Sequence, residues 1–531
     1  MSNGQQPLTA ITALYLSIPV IIFSYGWLKL PFAIVTILLL LIFIIVAIKD
    51  ISQALHRLGE YLTKVANNRL RLKMCFTLFA LVLLVLTAWL LLSGVGGFGF
   101  QNEDYVKHNA LLLSLILKKW PPTVGENANL VYYVAYYLPA ALAGKILGWE
   151  AANYFNFLWT FTGIILSYLW FWKISAINLK NSKTRTFVLL LIFSLAGGLD
   201  VIGYYLIKHH TIELFTHIER WAKYFQYSSN TTLIYWVPQH TIAGWLLTGI
   251  VVTSIYVPQN LKCLGLSVAF GIIWSPFVVI GIAPFLIFIF IEYMAQSKRR
   301  YLYNFEVILL SLSSLWIGII NGLFIASNRY TFPVGFIWEF IINKRVLITS
   351  LLEFWFLEFA FLTVGILLLI VLGRRFSPCE AETYQRTSLL GNWKEYLKCQ
   401  FNIDPTQLYV FLLAIVILTI LPLFKMGYAN DLVMRGSIPA LFIFWAFVGK
   451  IAVDSSVSIK IKMRYLYILI TAVIIIGFFS GITEISRSIN QYHFGPPTKS
   501  SVENVENYEL RKYIKQIKGD KTSIFYRFIS K

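Results

Sequence analysis

Long apolar runs separated by short polar stretches fill most of this chain. They lie near residues 8–30, 31–49, 74–95, 153–173, 187–208, 241–257, 264–294, 305–326, 346–373, 408–424, 438–453 and 465–484. Most approach the ~20 residues that a helix needs to cross a bilayer. Because Pro276 and Pro284 interrupt the run 264–294, we expect two short spans there and about 13 crossings in all. The pattern predicts an all-α polytopic membrane protein, whereas a β-barrel would show short alternating segments.

Composition supports this class. Of 531 residues, 58% are hydrophobic and 13% are charged, against roughly a quarter charged in soluble domains. The net charge of +20 fits loops that hold the chain's orientation in a membrane, since cytoplasmic loops collect Lys and Arg. Without an aromatic and basic groove motif we expect no nucleic-acid partner. The first 23 residues lack the charged start and cleavage site of a signal peptide, so we expect the first helix to be retained.

Charge also predicts an orientation. Five basic segments, 49–73, 173–185, 296–300, 373–398 and 460–464, all fall inside if 130–148 forms an interfacial helix instead of a span. The protein is then a multi-pass protein of the plasma (inner) membrane, and its outer face holds 96–152, 209–240, 327–345, 425–437 and the residues after 485. Its four cysteines fall near the inner surface, where we expect reduced thiols.

The first outer loop begins with an acidic pair. In "GFQNEDYVKHN", Glu103 and Asp104 follow the third apolar run, and His108 lies one helical turn further on. An amphipathic helix is predicted next, and its apolar face comprises Leu111, Leu112, Leu115 and Ile116. A carboxylate at the mouth of a membrane cavity can act as a general base, although solvated loop charges would look the same.

The second outer tract begins at Asp200, an acid within the outer half of a predicted span beside Gly197 and Gly198. Such an acid is costly in a membrane and indicates function or a polar network. Downstream, aromatic side chains alternate with polar ones, a mixture that suits sugar rings and also resembles a membrane aromatic belt. The polar candidates for substrate binding are His217, Glu219, Gln226, Asn230, Gln239 and His240, and "NTT" at Asn230 also fits a glycosylation acceptor.

The third outer tract carries Asn430, Asp431 and Arg435. Arg435 follows Asp431 by four residues, so a helical ion pair is possible, and the planar arginine fork also grips phosphate. Arg329 is a second candidate for phosphate, as are Lys344 and Arg345, with Glu353 and Glu358 as their expected counter-charges.

A metal site is the lesser alternative for the histidine-rich stretch. His209, Glu213 and His217 would share one helical face, but no HExxH motif is present. We therefore expect no cofactor, with a divalent metal ion as the alternative.

An acid at the membrane mouth followed by two juxtamembrane helices resembles the GT-C superfamily of integral membrane glycosyltransferases. The likeness covers 74–484, with 1–73 as a two-helix extension plus basic loop and 485–531 as a short polar outer tail. It implies transfer of a sugar from a polyprenyl-phosphate-linked donor to a glycan, lipid or protein acceptor outside the cytoplasm. By the same likeness Asp104 or Glu103 is the base, Arg435 holds the phosphate, and Asp200 with the 217–240 loop forms the pocket.

Two other classes remain open. A secondary transporter or a lipid or oligosaccharide flippase would favour repeated halves and a site at the membrane midplane, and no internal repeat is evident. A polysaccharide polymerase or ligase would share the outer arginines. The inner loops carry no nucleotide-binding motif, which argues against a nucleotide-sugar donor.

Overall fold

The structure, a computed structural model, describes residues 6–65, 69–124, 128–175, 182–207, 209, 211, 215–295, 301–374, 389–492 and 515–531. Its α-helices are numbered here in chain order. The first eleven are α1 (Gln6–Trp27), α2 (Leu30–Val65), α3 (Arg69–Leu91), α4 (Asp104–Leu117), α5 (Leu138–Leu147), α6 (Trp149–Ile174), α7 (Ser182–Leu195), α8 (Asp200–Ile202), α9 (Asn230–Trp236), α10 (Pro238–Tyr256) and α11 (Leu261–Trp274).

The remaining helices are α12 (Pro276–Ala295), α13 (Phe305–Ala326), α14 (Ile337–Phe340), α15 (Lys344–Trp355), α16 (Phe361–Gly373), α17 (Leu389–Phe401), α18 (Pro405–Ile420), α19 (Asp431–Gly436), α20 (Ile438–Asp454), α21 (Val457–Lys462) and α22 (Arg464–Asn490). Short strands are β1 (Thr123–Val124), β2 (Ala128–Leu130), β3 (Val334–Phe336), β4 (Phe424–Met426) and β5 (Lys518–Gly519). Single π-helical turns cover Gly203–Ile207, Phe356–Ala360 and Phe525–Ile529, and 3₁₀ turns cover Val95–Gly97, Ala135–Tyr137, Pro258–Asn260 and Leu421–Leu423.

Within the described residues, eight helical segments are long and apolar enough to cross a membrane. They are Pro7–Trp27, Leu30–His56, Trp149–Ile174, Pro276–Ala295, Phe305–Ala326, Lys344–Gly373, Pro405–Leu423 and Arg464–Asn490. A ninth results if Lys183–Leu195 and Asp200–Ile207, which meet at a bend of 43°, count as one broken span. The all-α polytopic class is therefore confirmed, and the finer count of about 13 stays a prediction from the length rule.

Several predicted spans are not among these segments, and the structure shows features that distinguish them. α10 begins with the polar residues Gln239 and His240, and α20 has 17 residues, at the short limit for a span. The run 187–208 is interrupted between α7 and α8. In the run 264–294 the chain breaks at Ser275, whereas Pro284 lies inside α12. α5 has ten residues and is therefore about 15 Å long, too short to cross.

The chain forms two compact units that interleave along the sequence. Unit 1 comprises Met1–Ser167, Ile234–Phe332 and Gln491–Lys531, and unit 2 comprises Tyr168–Leu233 and Pro333–Asn490. Each unit therefore brings together segments that are distant in sequence.

Unit 1 is built around α1, which contacts α2, α5, α10 and α11, while α11 packs along α13. Tyr15 of α1 stacks on Trp159 at a ring-centroid distance of 4.0 Å, and its hydroxyl donates to the Trp159 carbonyl. Between α11 and α13, the Asn321 amide donates to the Ala269 carbonyl at 2.9 Å. The first two apolar runs thus supply core surface to unit 1.

The end of the sequence completes unit 1. β5 pairs antiparallel with β2, which also pairs with β1, so that the sheet order is β1-β2-β5. Phe525 is fully buried, with its ring 6.1 Å from that of Phe23 and 5.3 Å from that of Phe324. The segment 485–531 was expected to be a short polar outer tail, but Phe525 within it is inserted into the core.

Unit 2 packs α7 and α18 against α20, and α7 and α16 against α22. Gly197 and Gly477 make the close approach of the α7–α8 connection to α22 possible. A Cβ on Gly477 would overlap the Gly197 carbonyl, and one on Gly197 would come within 2.8 Å of the Ser229 Cβ. Small residues at such a crossing let two backbones touch.

Two expectations about unit 1 and the cysteines need correction. α4 was expected to present one apolar face, but residues 109–116 are all buried, because α5 covers it where Gly144 faces Ile116. Cys263 is a buried thiol, whereas Cys399 is disulfide-bonded, so the expectation of four reduced cysteines is wrong. The charge of the loops predicts on which side of the membrane a cysteine lies, but it does not predict which cysteines form a disulfide.

Replacing Phe525 by Ala should destabilise unit 1 by roughly 3–5 kcal/mol, because it leaves a cavity beneath Phe23 and Phe324. Thermal unfolding in detergent would measure this. Phe528→Ala is the matched control, since Phe528 is 56% exposed and the substitution should change stability by no more than about 0.5 kcal/mol. Equal losses in both variants would contradict the buried role of Phe525.

Candidate functional site

The acidic start of α4 is a rigid and accessible feature of unit 1. The Asn102 side chain accepts a hydrogen bond from the Asp104 backbone N–H at 3.0 Å and donates to the Tyr235 carbonyl at 2.7 Å. The Asp104 carboxylate accepts from the Lys107 ammonium at 2.9 Å, and its side chain remains 26% exposed. Asp104 is thus oriented by fixed partners and still reachable from outside.

Neighbouring histidines line the same part of unit 1. The His108 ring contacts the Tyr137 hydroxyl at 2.5 Å and the Trp236 carbonyl at 2.9 Å. Two helical positions past the start of α10, His240 contacts the Ser275 hydroxyl at 2.7 Å and meets the Tyr133 ring edge to face. Asp104, His108 and His240 are therefore all tied to the segment 235–240.

Gln239 precedes His240 and is 2% exposed. Its side-chain Oε1 has no hydrogen-bond partner among the residues that the structure describes. A buried amide oxygen without a donor is costly, so this group can accept a hydrogen bond from a ligand or an ordered water.

The other predicted residues of unit 1 have simpler surroundings. Glu103 is exposed at the start of α4. Arg329 pairs with Asp520 at 2.5 Å, joining the loop after α13 to the segment after β5. Hydrogen bonds from Thr522, followed by the Arg329 pair, lower the pKa of Asp520 to about 2. Arg329 thus has a structural counter-charge in place.

Unit 2 contains a cluster of buried acids, here called the acid cluster: Asp200, Glu219, Glu358 and Glu484. Asp200 is fully buried at the first position of α8. One of its carboxylate oxygens accepts from the Trp221 indole at 2.9 Å, and the other accepts from the Ser480 hydroxyl at 2.7 Å. The predicted membrane acid therefore lies within a polar network.

Glu358 lies against Asp200. Its carboxylate lies close to Gly198, two residues before Asp200, and the neighbouring Leu357 carbonyl accepts from the Leu199 N–H at 3.0 Å. Glu358 is 5% exposed, and its Oε1 has no partner among the described residues. A Cβ on Gly198 would overlap the Glu358 carboxylate, so a larger residue there would displace that side chain. Glu358 was expected to neutralise outer basic residues and instead faces this acid.

Glu219 is held by the loop between α8 and α9 and by the start of α9. One carboxylate oxygen accepts from the Thr232 hydroxyl at 2.6 Å and from the Ser229 N–H at 2.9 Å, and the other accepts from Gln226 at 3.2 Å. Burial, aided by the nearby charge of Asp200 and opposed by His217 and the hydroxyl donors, raises the pKa of Glu219 to about 7.

His217 completes the cluster at the end of α22. Its Nδ1 lies 2.6 Å from the Glu484 carboxylate, which also pairs with Arg487 at 3.5 Å. His210 and Glu213 lie outside the described residues. Within the described part of the chain, no three His, Cys, Asp or Glu side chains are arranged to hold a metal ion.

The predicted amides of this tract serve the fold. Gln226 donates to Glu219 and to Ser228. Asn230 is 1% exposed, and its amide donates to the Phe193 carbonyl at 2.9 Å. A glycosylation acceptor must be accessible to a transferase, so the interpretation of Asn230 as a glycan attachment site is wrong.

The predicted ion pair of the third tract is present. Arg435 pairs with Asp431 one turn earlier on α19, and the two side chains are 17% and 22% exposed. Asn430 takes a left-handed conformation at φ 59° ahead of the helix. Its amide donates to the Tyr224 carbonyl at 3.4 Å, so this turn lies beside the 217–240 loop. The carboxylate of Asp431 occupies the fork where a phosphate would bind.

Three members of this network were not predicted: Ser480 and Trp221, which donate to Asp200, and Glu484, which pairs with His217. The pattern did contain a signal. Ser480, Thr483, Glu484 and Arg487 follow the i, i+3, i+4, i+7 spacing of one helical face, a polar stripe at the end of an apolar run.

Comparison of the chain with protein-family models, with characterised proteins and with solved structures gives no match. The functional assignment therefore depends on the chemistry of the sites described above.

Stability should fall as pH rises from about 4.5 to about 7 through the titration of Glu219. Its folded pKa lies above the ordinary 4.5, so the folded state binds the proton more tightly in this window. The stabilisation is complete below about pH 4.5 and is lost by about pH 7, a change on the order of 3 kcal/mol.

Denaturation in detergent between pH 4.5 and 7.5 would measure this change. Glu219→Gln keeps two acceptor sites for Ser229 and Thr232 while removing the titration, so its stability should vary less over this range. An identical pH dependence of the wild type and the variant would contradict the raised pKa of Glu219.

Proposed function

We propose that this chain is a membrane glycosyltransferase that moves a sugar from a polyprenyl-phosphate-linked donor to an acceptor hydroxyl on the non-cytoplasmic side. The supporting observation is the accessibility of Asp104. Its backbone N–H is held by Asn102, and its carboxylate pairs with Lys107 and is 26% exposed, whereas Asp200 and Glu219 are fully enclosed. A general base must be both fixed and reachable.

Asp104 fits the role of base better than Glu103. Among the described residues the Glu103 side chain has no fixed hydrogen-bond or ion-pair partner, and it is exposed. The Asp104 carboxylate, in contrast, is held by the Lys107 ammonium at 2.9 Å. In the reaction the carboxylate takes the acceptor hydroxyl proton, the acceptor oxygen bonds to the sugar C1, and the C1–O bond to phosphate breaks in a single inverting displacement.

Arg435 is the proposed phosphate ligand. Its guanidinium already holds one carboxylate, Asp431, through the geometry that grips a phosphate. If a phosphate oxygen replaced the Asp431 carboxylate, the Arg435 guanidinium would supply a cation to that phosphate. The buried acid cluster holds the 217–240 loop through hydrogen bonds to Asp200 and Glu219.

Replacing Asp104 by Asn should lower sugar transfer by about 10²–10⁴-fold, because proton removal contributes that much to such reactions. Purified protein in proteoliposomes would receive a panel of tritiated polyprenyl-phosphate hexoses, with release of polyprenyl phosphate as the readout. Glu103→Gln, one residue away with the same loss of charge, should retain transfer within about threefold. Transfer by Asp104→Asn at the wild-type rate would exclude Asp104 as the base, and a repeating product would identify a polymerase.

A secondary transporter is the second candidate, and the broken helix favours it. Lys183–Leu195 and Asp200–Ile207 meet at 43°, with the buried acids Asp200 and Glu358 near the break. Discontinuous helices with paired buried acids occur at the coupling sites of transporters.

If transport is the activity, an imposed proton gradient should drive labelled sugar into proteoliposomes without any covalent product. Glu358→Gln should abolish this flux, because only a group that gains and loses a proton can couple to the gradient. Glu353→Gln, one turn earlier on α15, is the control. Covalent transfer without flux would exclude this candidate.

A further inference from the structure

A second charged cluster in unit 2 lies apart from the acid cluster and takes no part in the proposed reaction. It is here called the basic cluster and comprises Arg185 of α7, Lys450 of α20 and Lys460 of α21. The Asp454 carboxylate accepts from Arg185 at 3.2 Å and from Lys450 at 3.4 Å. The Lys460 ammonium lies 3.5 Å from the Ala452 carbonyl, two residues before Asp454.

The charges of this cluster do not balance. Among the described residues, Asp454 is the one carboxylate that pairs with Arg185 or Lys450. Three cations thus surround one anion, for a net of two positive charges. Burial lowers the pKa of the Lys460 ammonium, and the like charge of Arg185 lowers it further. The opposite charge of Asp454 acts against both effects. Uncompensated buried charge is strongly unfavourable.

Lys450 shows the imbalance most clearly. Its side chain is 1% exposed, and its ammonium makes one hydrogen bond, the 3.4 Å contact with Asp454. An ammonium group has three donors, so two have no acceptor among the residues that the structure describes. Asn402 competes for the same oxygen of Asp454, to which its amide donates at 3.4 Å.

The cluster is open on one side. The Arg185 side chain is 27% exposed, and Lys460 is half-buried and rests over the Tyr467 ring at 5.2 Å. Arg185 can therefore turn part of its five-donor fork outward while keeping one bond to Asp454. Lys460 has a flexible stem and can also reach a bound group.

We infer that Arg185, Lys450 and Lys460 form a binding site for a phosphate group. A doubly charged anion matches the two uncompensated positive charges, and its several oxygens can accept from an arginine fork and a lysine together. A chloride ion would satisfy one charge and offers no such geometry. The predicted orientation puts residues 173–185 and 460–464 on the cytoplasmic side, where the phosphate belongs to an anionic lipid headgroup or to a free phosphate.

Two titrations with full-length protein distinguish these sources. In detergent, inorganic phosphate should raise the unfolding temperature saturably, since a ligand that binds the folded state stabilises it. In nanodiscs, phosphatidylglycerol should raise it relative to phosphatidylcholine alone. Phosphate binding in detergent identifies a free anion as ligand, and stabilisation in nanodiscs alone identifies the headgroup.

Substitutions test the residues. Lys460→Gln and Arg185→Gln should each weaken the response on the order of tenfold, the usual loss for one charge-assisted hydrogen bond, and Lys460→Arg should retain most of it. Lys462→Gln, on the same short helix and exposed, is the matched control. Asp454→Asn should strengthen phosphate binding by removing the competing anion, a direction that loss of structure would not produce.

The inference fails if neither titration shows saturable stabilisation of the wild type. It also fails if Lys460→Gln and Lys462→Gln weaken binding equally, or if Asp454→Asn weakens it. The proposal does not depend on sugar transfer, because none of its residues belongs to the proposed reaction.

Discussion

Enclosed charges need partners, and this requirement organises unit 2. Asp200, Glu219 and Glu484 each lie where hydroxyl, indole, amide or imidazole groups meet them. The loop from 215 to 229 has no regular helix, yet its side chains supply many of these donors. Without them the acids would be too costly to keep in an apolar helical environment. The acid cluster therefore determines the path of this loop.

The helix break follows from the same requirement. α7 ends at Leu195, and α8 begins at Asp200 with a different direction. The freed backbone groups are used: the Ala196 carbonyl accepts from Asn230, and the Leu199 N–H donates to the Leu357 carbonyl. Gly197 and Gly198 remove the side chains that would block these contacts. Polar partners and small residues together stabilise this interrupted helix within an apolar surrounding.

The sequence predicted the positions of helices much better than it predicted the contacts between residues distant in the chain. Apolar runs near 153–173, 305–326 and 465–484 correspond to α6, α13 and α22, because helix length in a membrane is fixed by its thickness. The ion pair of Asp431 and Arg435 followed from helical spacing. The meeting of Asp200 with Glu358 did not, since 158 positions separate them and spacing carries no information on long-range packing. The same holds for the insertion of Phe525 into unit 1.

The pairing of β5 with β2 has a consequence for how the protein is made. Chains emerge from the ribosome in order, and domains tend to fold as they emerge. Unit 2 ends at Asn490, so all of its residues have left the ribosome before β5 does. Residues of unit 1 are therefore both the first and the last to be synthesised. Until Lys518 has been added, the edge of β2 that pairs with β5 has no hydrogen-bond partner in the sheet. During synthesis the chain therefore passes through a stage in which all of unit 2 has been made while unit 1 still lacks strand β5.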